Sequence, residues 1–426
     1  MDVRAIKATE ISADMRISFA DGSWRVHSQT ANRFYKVNPS PSAAECECDD
    51  FALRAAPCKH ILGVRQLLER QLKGEPNPTT DEIPAVPPRP TYKQDWPNYN
   101  LAQTNEKDHL QSLLATLCAG IPQPAQKPKS GHPFANLSDA IFGVVFKVYS
   151  LMSARRFASD MREAQRRGHV VKPLSYNCIL EYMGYPEVTP ILIDLIHQSS
   201  LPLRAVETTF AVDSSGFSTS RYTKWYDEKY GTNRQKADWV KAHLCVGTKT
   251  QIVTACVIDE KNSGDCPHFE ALATATAENF TINEMSGDKA YLSNDNLELV
   301  NALGGTAYIP FKSNSTVGGG SEVWRRMFHY FAMNREEYLT HYHKRSNIES
   351  AFSMIKRKFG DSLRAKTDTA MRNEVLAKIV CHNLCVNISA WYELGIDPAD
   401  WLPKGALQVA EQEDNEPRDV LRFPAG

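Results

Sequence analysis

Three hydrophobic patterns follow one another along the chain. Near the start, apolar and polar residues alternate in short runs at 15–19, 23–27 and 33–37, which predict hairpin strands. Over 134–202 apolar residues recur at helical spacing, at 140–149, 175–183 and 190–196. From residue 205 the pattern alternates between strand and helix. The run 207–213 is rich in β-branched and aromatic residues and predicts a strand ending at Asp213 with a Ser-Ser-Gly turn. Runs 239–246 and 252–259 flank Gly247-Thr248-Lys249-Thr250 and predict an antiparallel hairpin. A helix over 268–279, a strand over 280–286, a helix from Asn294 capped by Ser293 and stopped at Gly304-Gly305, and a strand over 306–311 follow. A helix over 342–359 and a strongly apolar one over 373–388 complete the pattern.

These patterns divide the chain. Residues 1–72 read as a small α+β module. Residues 73–133 read as a proline-rich linker (prolines cluster at 73–100 and 120–133) with a short helix at 109–118. Residues 134–204 form a helical segment, either a helix-turn-helix-like DNA reader or a cap on the next domain. Residues 205–395 are an α/β domain, and 396–426 a mostly disordered tail, acidic from 404 on. At 426 residues, two or three cores are expected.

Composition sharpens the picture in three places. The net charge of −1 gives no global nucleic-acid signal, but bases concentrate at Arg325, Arg326, Arg335, Lys344, Arg345, Lys356, Arg357, Lys358, Arg364 and Lys366. No apolar run is long enough to span a bilayer, and the first residues do not form a signal peptide, so a cytoplasmic protein is expected. Of the ten cysteines, Cys46, Cys48 and Cys58 join His60 within fifteen residues, while the rest are scattered. Three thiolates and an imidazole make a closed tetrahedral zinc set, which implies one structural zinc ion. Cys381, His382 and Cys385 have metal-like spacing but no fourth ligand, and read as buried side chains of a packed helix.

The chemistry centres on 342–359. At about 100° per residue, Tyr342 lies near 0°, Arg345 near 300°, Glu349 near 340° and Lys356 near 320°. One stripe therefore carries a phenol, a guanidinium, a carboxylate and an ammonium. Ile348, Phe352, Ile355 and Phe359 form the apolar stripe beside it. A carboxylate that binds a cation, flanked by bases that neutralise phosphate, suits phosphodiester chemistry. The plainer reading is a capping box, with Ser346 as N-cap and Glu349 reaching back. A second candidate is the loop 217–239, where Arg221, Lys224 and Trp225 interleave bases with aromatics; it reads as a DNA contact or as an ordinary solvated loop.

The spacing of Tyr342, Arg345, Glu349 and Lys356 resembles the signature of cut-and-paste DDE transposases, and Asp288-Lys289-Ala290-Tyr291 resembles that family's second-aspartate motif. Residues 23–65, with Cys58-Lys59-His60-Ile61 and the aromatic strands before Cys46, resemble a SWIM zinc finger, a module that binds DNA or protein. The transposase resemblance implies an RNase H-like fold with Asp213, Asp288 and Glu349 as the catalytic carboxylates. They would hold two magnesium or manganese ions. It also implies Tyr342, Arg345, Lys356 and Lys289 as DNA contacts, double-stranded transposon ends and target DNA as partners, and a homodimer on DNA. The activity implied is cleavage at transposon ends followed by strand transfer. A catalytically idle, transposase-derived regulator with a zinc module is the alternative.

Overall fold

The computed structural model describes residues 3–13, 16–29, 33–54, 56–76, 78, 95–123, 136–219, 239–260, 264–318, 320–398 and 400. The chain forms two compact units, one ending at Gln94 and one beginning at Asp95, from which 312–315 and 334–336 are set apart. The acidic tail, most of the prolines of 73–100 and the loop residues Arg221, Lys224 and Trp225 lie outside the described residues.

In the first unit, helix α1 (Val3–Ala13) precedes strands β1 (Ile17–Ala20), β2 (Ser23–His27), β3 (Phe34–Asn38) and β4 (Glu45–Cys46), followed by α2 (Asp49–Arg54) and α3 (Lys59–Lys73). The three hairpin runs form an antiparallel meander, β1-β2-β3-β4, as their alternation predicts. The α1 helix escaped the pattern analysis. Its Ile6, Ala8 and Ile11 are buried, and it packs along α3.

The second unit opens with α4 (Trp96–Ala119), α5 (Leu137–Ser150), α6 (Ala154–Arg166), α7 (Tyr176–Met183) and α8 (Val188–Ser200). The short helix expected at 109–118 is in fact the 24-residue α4. Pro97 sits in its first turn, where a missing N–H costs nothing, and the Asp95 carboxylate accepts from the Asn98 amide. About two fifths of the expected linker is therefore a packed helix. The amphipathic α6 was also missed, although Phe157, Met161 and Ala164 recur on one face and are buried.

The sheet follows: β5 (Thr209–Ser218), β6 (Trp239–Gly247), β7 (Val253–Glu260), α9 (Phe269–Ala277), β8 (Glu284–Gly287), α10 (Asn294–Ala302) and β9 (Thr306–Tyr308). Its strand order is β7-β6-β5-β8-β9. The first three strands are antiparallel, and β8 and β9 run parallel to β5. The strand containing Asp213 does not end there, as the Ser-Ser-Gly turn predicted; β5 continues to Ser218 because β6 pairs with it along its whole length. Helices α11 (Glu322–Met333), α12 (Arg335–Tyr342), α13 (Ser346–Phe359) and α14 (Asp368–Leu394) complete the unit.

Each face of the sheet has its own core. Phe210 and Val212 face a cluster with α9, α10 and α11, while Ala211 and Phe217 face a cluster built from α4, α5, α7, α8, α13 and α14. Helix α4 and the helices of 134–204 share that core with the sheet, so neither residue 134 nor residue 204 is a boundary of packing. The α14 helix is buried nearly all round. Its Asn383 side chain accepts from the Val253 amide (2.9 Å) and donates to the Val253 carbonyl (2.8 Å), closing the open edge of β7. Cys381, His382 and Cys385 are buried in this packing.

His382 is held to a pKa of about 4, first by burial and further by the Lys358 charge, against a Gln251 carbonyl 2.9 Å from its Nε2. The unfolded chain therefore takes up a proton near pH 6.5 that the folded chain refuses. The contribution of this group to stability should be constant above that value and fall by up to about 3 kcal/mol as the pH drops toward 4. Urea denaturation of wild type and His382→Gln across pH 4–8 checks this: the variant should have a shallower acid-side slope, the rest coming from His243, which burial also holds near 4, and an unchanged slope contradicts the assignment.

Candidate metal centres

The parallel pairing of β5 with β8 ends at Val212 opposite Gly287. The next residue on each strand is an aspartate, Asp213 and Asp288, so their backbones lie on neighbouring strands, which are about 4.8 Å apart. Asp213 follows the two-residue alternation of Ala211 and Phe217, whose side chains enter the core that α13 lines. Asp288 caps a 3₁₀ turn, Lys289–Tyr291, its carboxylate accepting from the Ala290 amide at 2.5 Å.

The third carboxylate arrives on α13. The helix predicted over 342–359 is interrupted: α12 ends at Tyr342, a 3₁₀ turn spans His343–Arg345, and α13 begins at Ser346. No capping box forms, because Ser346 lies inside the helix and its hydroxyl donates to the His343 carbonyl. Ile348, Phe352, Ile355 and Phe359 are buried as the apolar stripe requires. Arg345 donates to Asp213 at 2.5 Å and also to Glu349, while its guanidinium lies 5.9 Å from the Tyr342 ring centre. Lys356 reaches Ser215 at 2.6 Å, one step along the same face of β5. Lys289 is half-buried beside Asp288.

The electrostatics follow from this crowding. Burial pushes the Asp213 carboxyl above its ordinary value, and the charges of Asp288 and Glu349 add to the rise; the Ser214 amide and Arg345 oppose it. Burial works against the Arg345 charge, yet Tyr342, Asp213 and Glu349 together hold its pKa up. Arg345 thus bridges two of the three carboxylates. Among the described residues, the metal-type group of three or more ligands is in the first unit; the three carboxylates do not form such a group, and Arg345 joins two of them. An all-oxygen anionic donor set suits magnesium or manganese and not zinc.

Two supports for this site escaped the sequence analysis. Glu284 on β8 binds His341 (3.0 Å) and Lys344 (2.7 Å), fixing the turn that presents Arg345. On the opposite face of the sheet, Ser214 donates to Asp265 at 2.8 Å, and Lys241 pairs with the same carboxylate at 2.7 Å. His243, fully buried, lies 3.5 Å from Asp265 with its ring centre 4.2 Å from that of His268. These partners are separated by tens of residues, and no local pattern announces them.

The zinc set converges as expected. Cys46 comes from β4, Cys48 from the turn after it, and Cys58 and His60 from the start of α3; all four are buried. His60 Nδ1 lies 3.7 Å from the Cys46 sulfur and 3.8 Å from that of Cys58. Zinc bonds of about 2.3 Å to sulfur and 2.0 Å to nitrogen at tetrahedral angles separate such atoms by roughly 3.5 Å. Hydrogen bonds from Cys46 and Cys48 hold the Cys58 thiol well below its usual range, while the bonds Cys46 makes to Cys48 and Cys58, with burial, push the Cys46 thiol up. Metal analysis of purified protein should find one zinc per chain and, for Cys58→Ser, almost none; full zinc in the variant would remove Cys58 from the site.

The family model for a transposase DDE domain matches residues 204–384, and that for a SWIM zinc finger matches residues 35–66. No solved structure matches the chain. The first span holds Asp213, Asp288 and Glu349, and the second holds all four zinc ligands. The chain therefore carries a transposase DDE domain, with a SWIM zinc finger ahead of it.

Proposed function

We propose that the chain is a cut-and-paste DNA transposase with an RNase H-like catalytic core, whose active site is Asp213, Asp288 and Glu349. The observation that carries the proposal is the β5–β8 register, which sets two aspartates side by side, with the Glu349 helix joined to the first of them through Arg345. The strand order β7-β6-β5-β8-β9, with two antiparallel strands on one side of β5 and two parallel strands on the other, supports the RNase H-like reading.

The three carboxylates would hold two magnesium or manganese ions, which supply Lewis-acid activation of the attacking oxygen and charge neutralisation at the leaving one. Arg345 is placed to exchange its bonds to Asp213 and Glu349 for phosphate oxygens as DNA enters, with Tyr342 beside it. Lys356, anchored to Ser215, lies farther along the same face and suits a neighbouring phosphate; Lys289 stands next to Asp288. In the first reaction water breaks a P–O bond at the transposon end and leaves a 3′-hydroxyl. In the second that hydroxyl forms a new phosphodiester as a target P–O bond breaks, so the bond count is conserved. Two ends require two active sites, hence at least a dimer on DNA.

No helix of the described residues is long and apolar enough to cross a membrane. A protein working on chromosomal DNA belongs in the cytoplasm with the nucleoid.

Cleavage of DNA carrying the sequences that flank the gene, assayed in magnesium, tests the proposal. Asp288→Asn and Glu349→Gln should each lower the rate by about 10³-fold or more while leaving DNA binding intact. Wild-type cleavage by Asp288→Asn would refute it.

A further inference from the structure

Lys147, on α5, is 6 % exposed, and its ammonium makes no hydrogen bond or ion pair within the described residues. It lines a cavity of about 480 Å³ together with Ser153, Ala154, Met183, Arg364 and Lys366. The stem is buried while the nitrogen is not among the fully buried atoms, so it faces the cavity, and a charge so little hydrated is costly unless something compensates it. The compensation at hand is incomplete. Glu374 is the carboxylate whose field favours the Lys147 charge, and Arg364 opposes it. Glu374 is itself engaged by the amides of Arg364 and Ala365, at 2.8–3.1 Å, and lies 3.9 Å from Lys378. One buried carboxylate thus serves several cations.

A second feature points the same way. The α6 helix begins at this cavity with Ser153 as its N-cap, and the Ser153 side chain makes no capping bond. Its first turn carries Arg155 and Arg156 and no acid. Helix starts favour negative charge, so this arrangement lacks its natural complement, an anion. The cavity opens to solvent between the exposed Met152, Leu180 and Lys366, which gives an anion a way in.

We infer that this cavity is a phosphate-binding site, in which the Lys147 ammonium and the first turn of α6 hold the anion and Lys366 stands at its rim. The phosphate belongs either to the backbone of bound DNA or to a free phosphate-bearing ligand. Geometry suits the first source. The end of β5 is tied to the loop leading to Lys366, with the Ser218 amide donating to Asp361 (3.1 Å) and the Leu363 amide to Ser218 (2.8 Å). Asp213 and Ser218 are about 17 Å apart along the strand, or roughly five base pairs of duplex. The DNA source rests on the transposase reading; the phosphate site itself does not.

The test uses the full-length, zinc-loaded protein and two variants, Lys147→Met and Lys366→Met. Inorganic phosphate should raise the melting temperature of wild type by roughly 2–4 °C over chloride of equal ionic strength. Lys147→Met should abolish that shift, and Lys366→Met, an exposed change that leaves folding alone, should reduce it. With duplex DNA, Lys147→Met should flatten the dependence of log affinity on log salt by about one unit if the phosphate is a DNA phosphate. Loss of the thermal shift with an unchanged salt slope assigns the site to a free phosphate ligand. A phosphate shift that is absent in wild type, or undiminished in both variants, overturns the site. None of these readouts involves cleavage, so a catalytically inactive protein would give the same readings.

Discussion

The structure is organised around a repulsion. Two parallel strands stop pairing at Val212 and Gly287, and each then places an aspartate at the same level. Burial disfavours ionisation of Asp213, and the like charges of Asp288 and Glu349 add to it. Much of the second unit can be read as the answer. Arg345 binds Asp213 and Glu349 at once, and Glu284 pins the turn that carries Arg345 by holding His341 and Lys344. The apolar stripe of α13 presses the whole assembly onto the sheet. Breaking any of these contacts leaves carboxylates with less compensating positive charge, so the guanidinium stands where the proposed cations would otherwise be needed.

The two units obtain stability differently. The sheet of the second unit is covered on both faces, and α14 is buried along most of its 27 residues, with Asn373, Asn383 and Asn387 tying it to its neighbours. The first unit has much less to bury. Of the eight buried apolar residues in its cluster, three are the cysteines of the zinc set. In such a module the metal is part of the core, and binding free energy becomes folding free energy.

What could be read from the sequence follows the range of the interaction. The zinc ligands lie within fifteen residues, so spacing revealed them; the β6–β7 hairpin and the Ser293 cap are equally local. The three carboxylates stand out as candidates because a β-rich run, a short motif and a helical spacing single them out. The interruption at His343–Arg345 was missed because its cause is tertiary: Glu284, some sixty residues upstream, pulls that turn toward β8. Asp213 was read as a strand end since Ser-Ser-Gly is a turn pattern, yet pairing with β6 overrides it. Helix α4 was truncated because Pro97 looks like a breaker anywhere except in a first turn. The Asp265 network behind the sheet left no sequence trace at all, since its members come from β5, β6 and the segment before α9.

The central claim is that Asp213 and Asp288 are halves of one cation site created by strand register. Titration of manganese into the zinc-loaded protein, followed by electron paramagnetic resonance, measures this directly. Wild type should bind the ion, and Asp213→Asn and Asp288→Asn should each weaken binding by more than about tenfold. Manganese bound equally well by wild type and both variants would contradict the account.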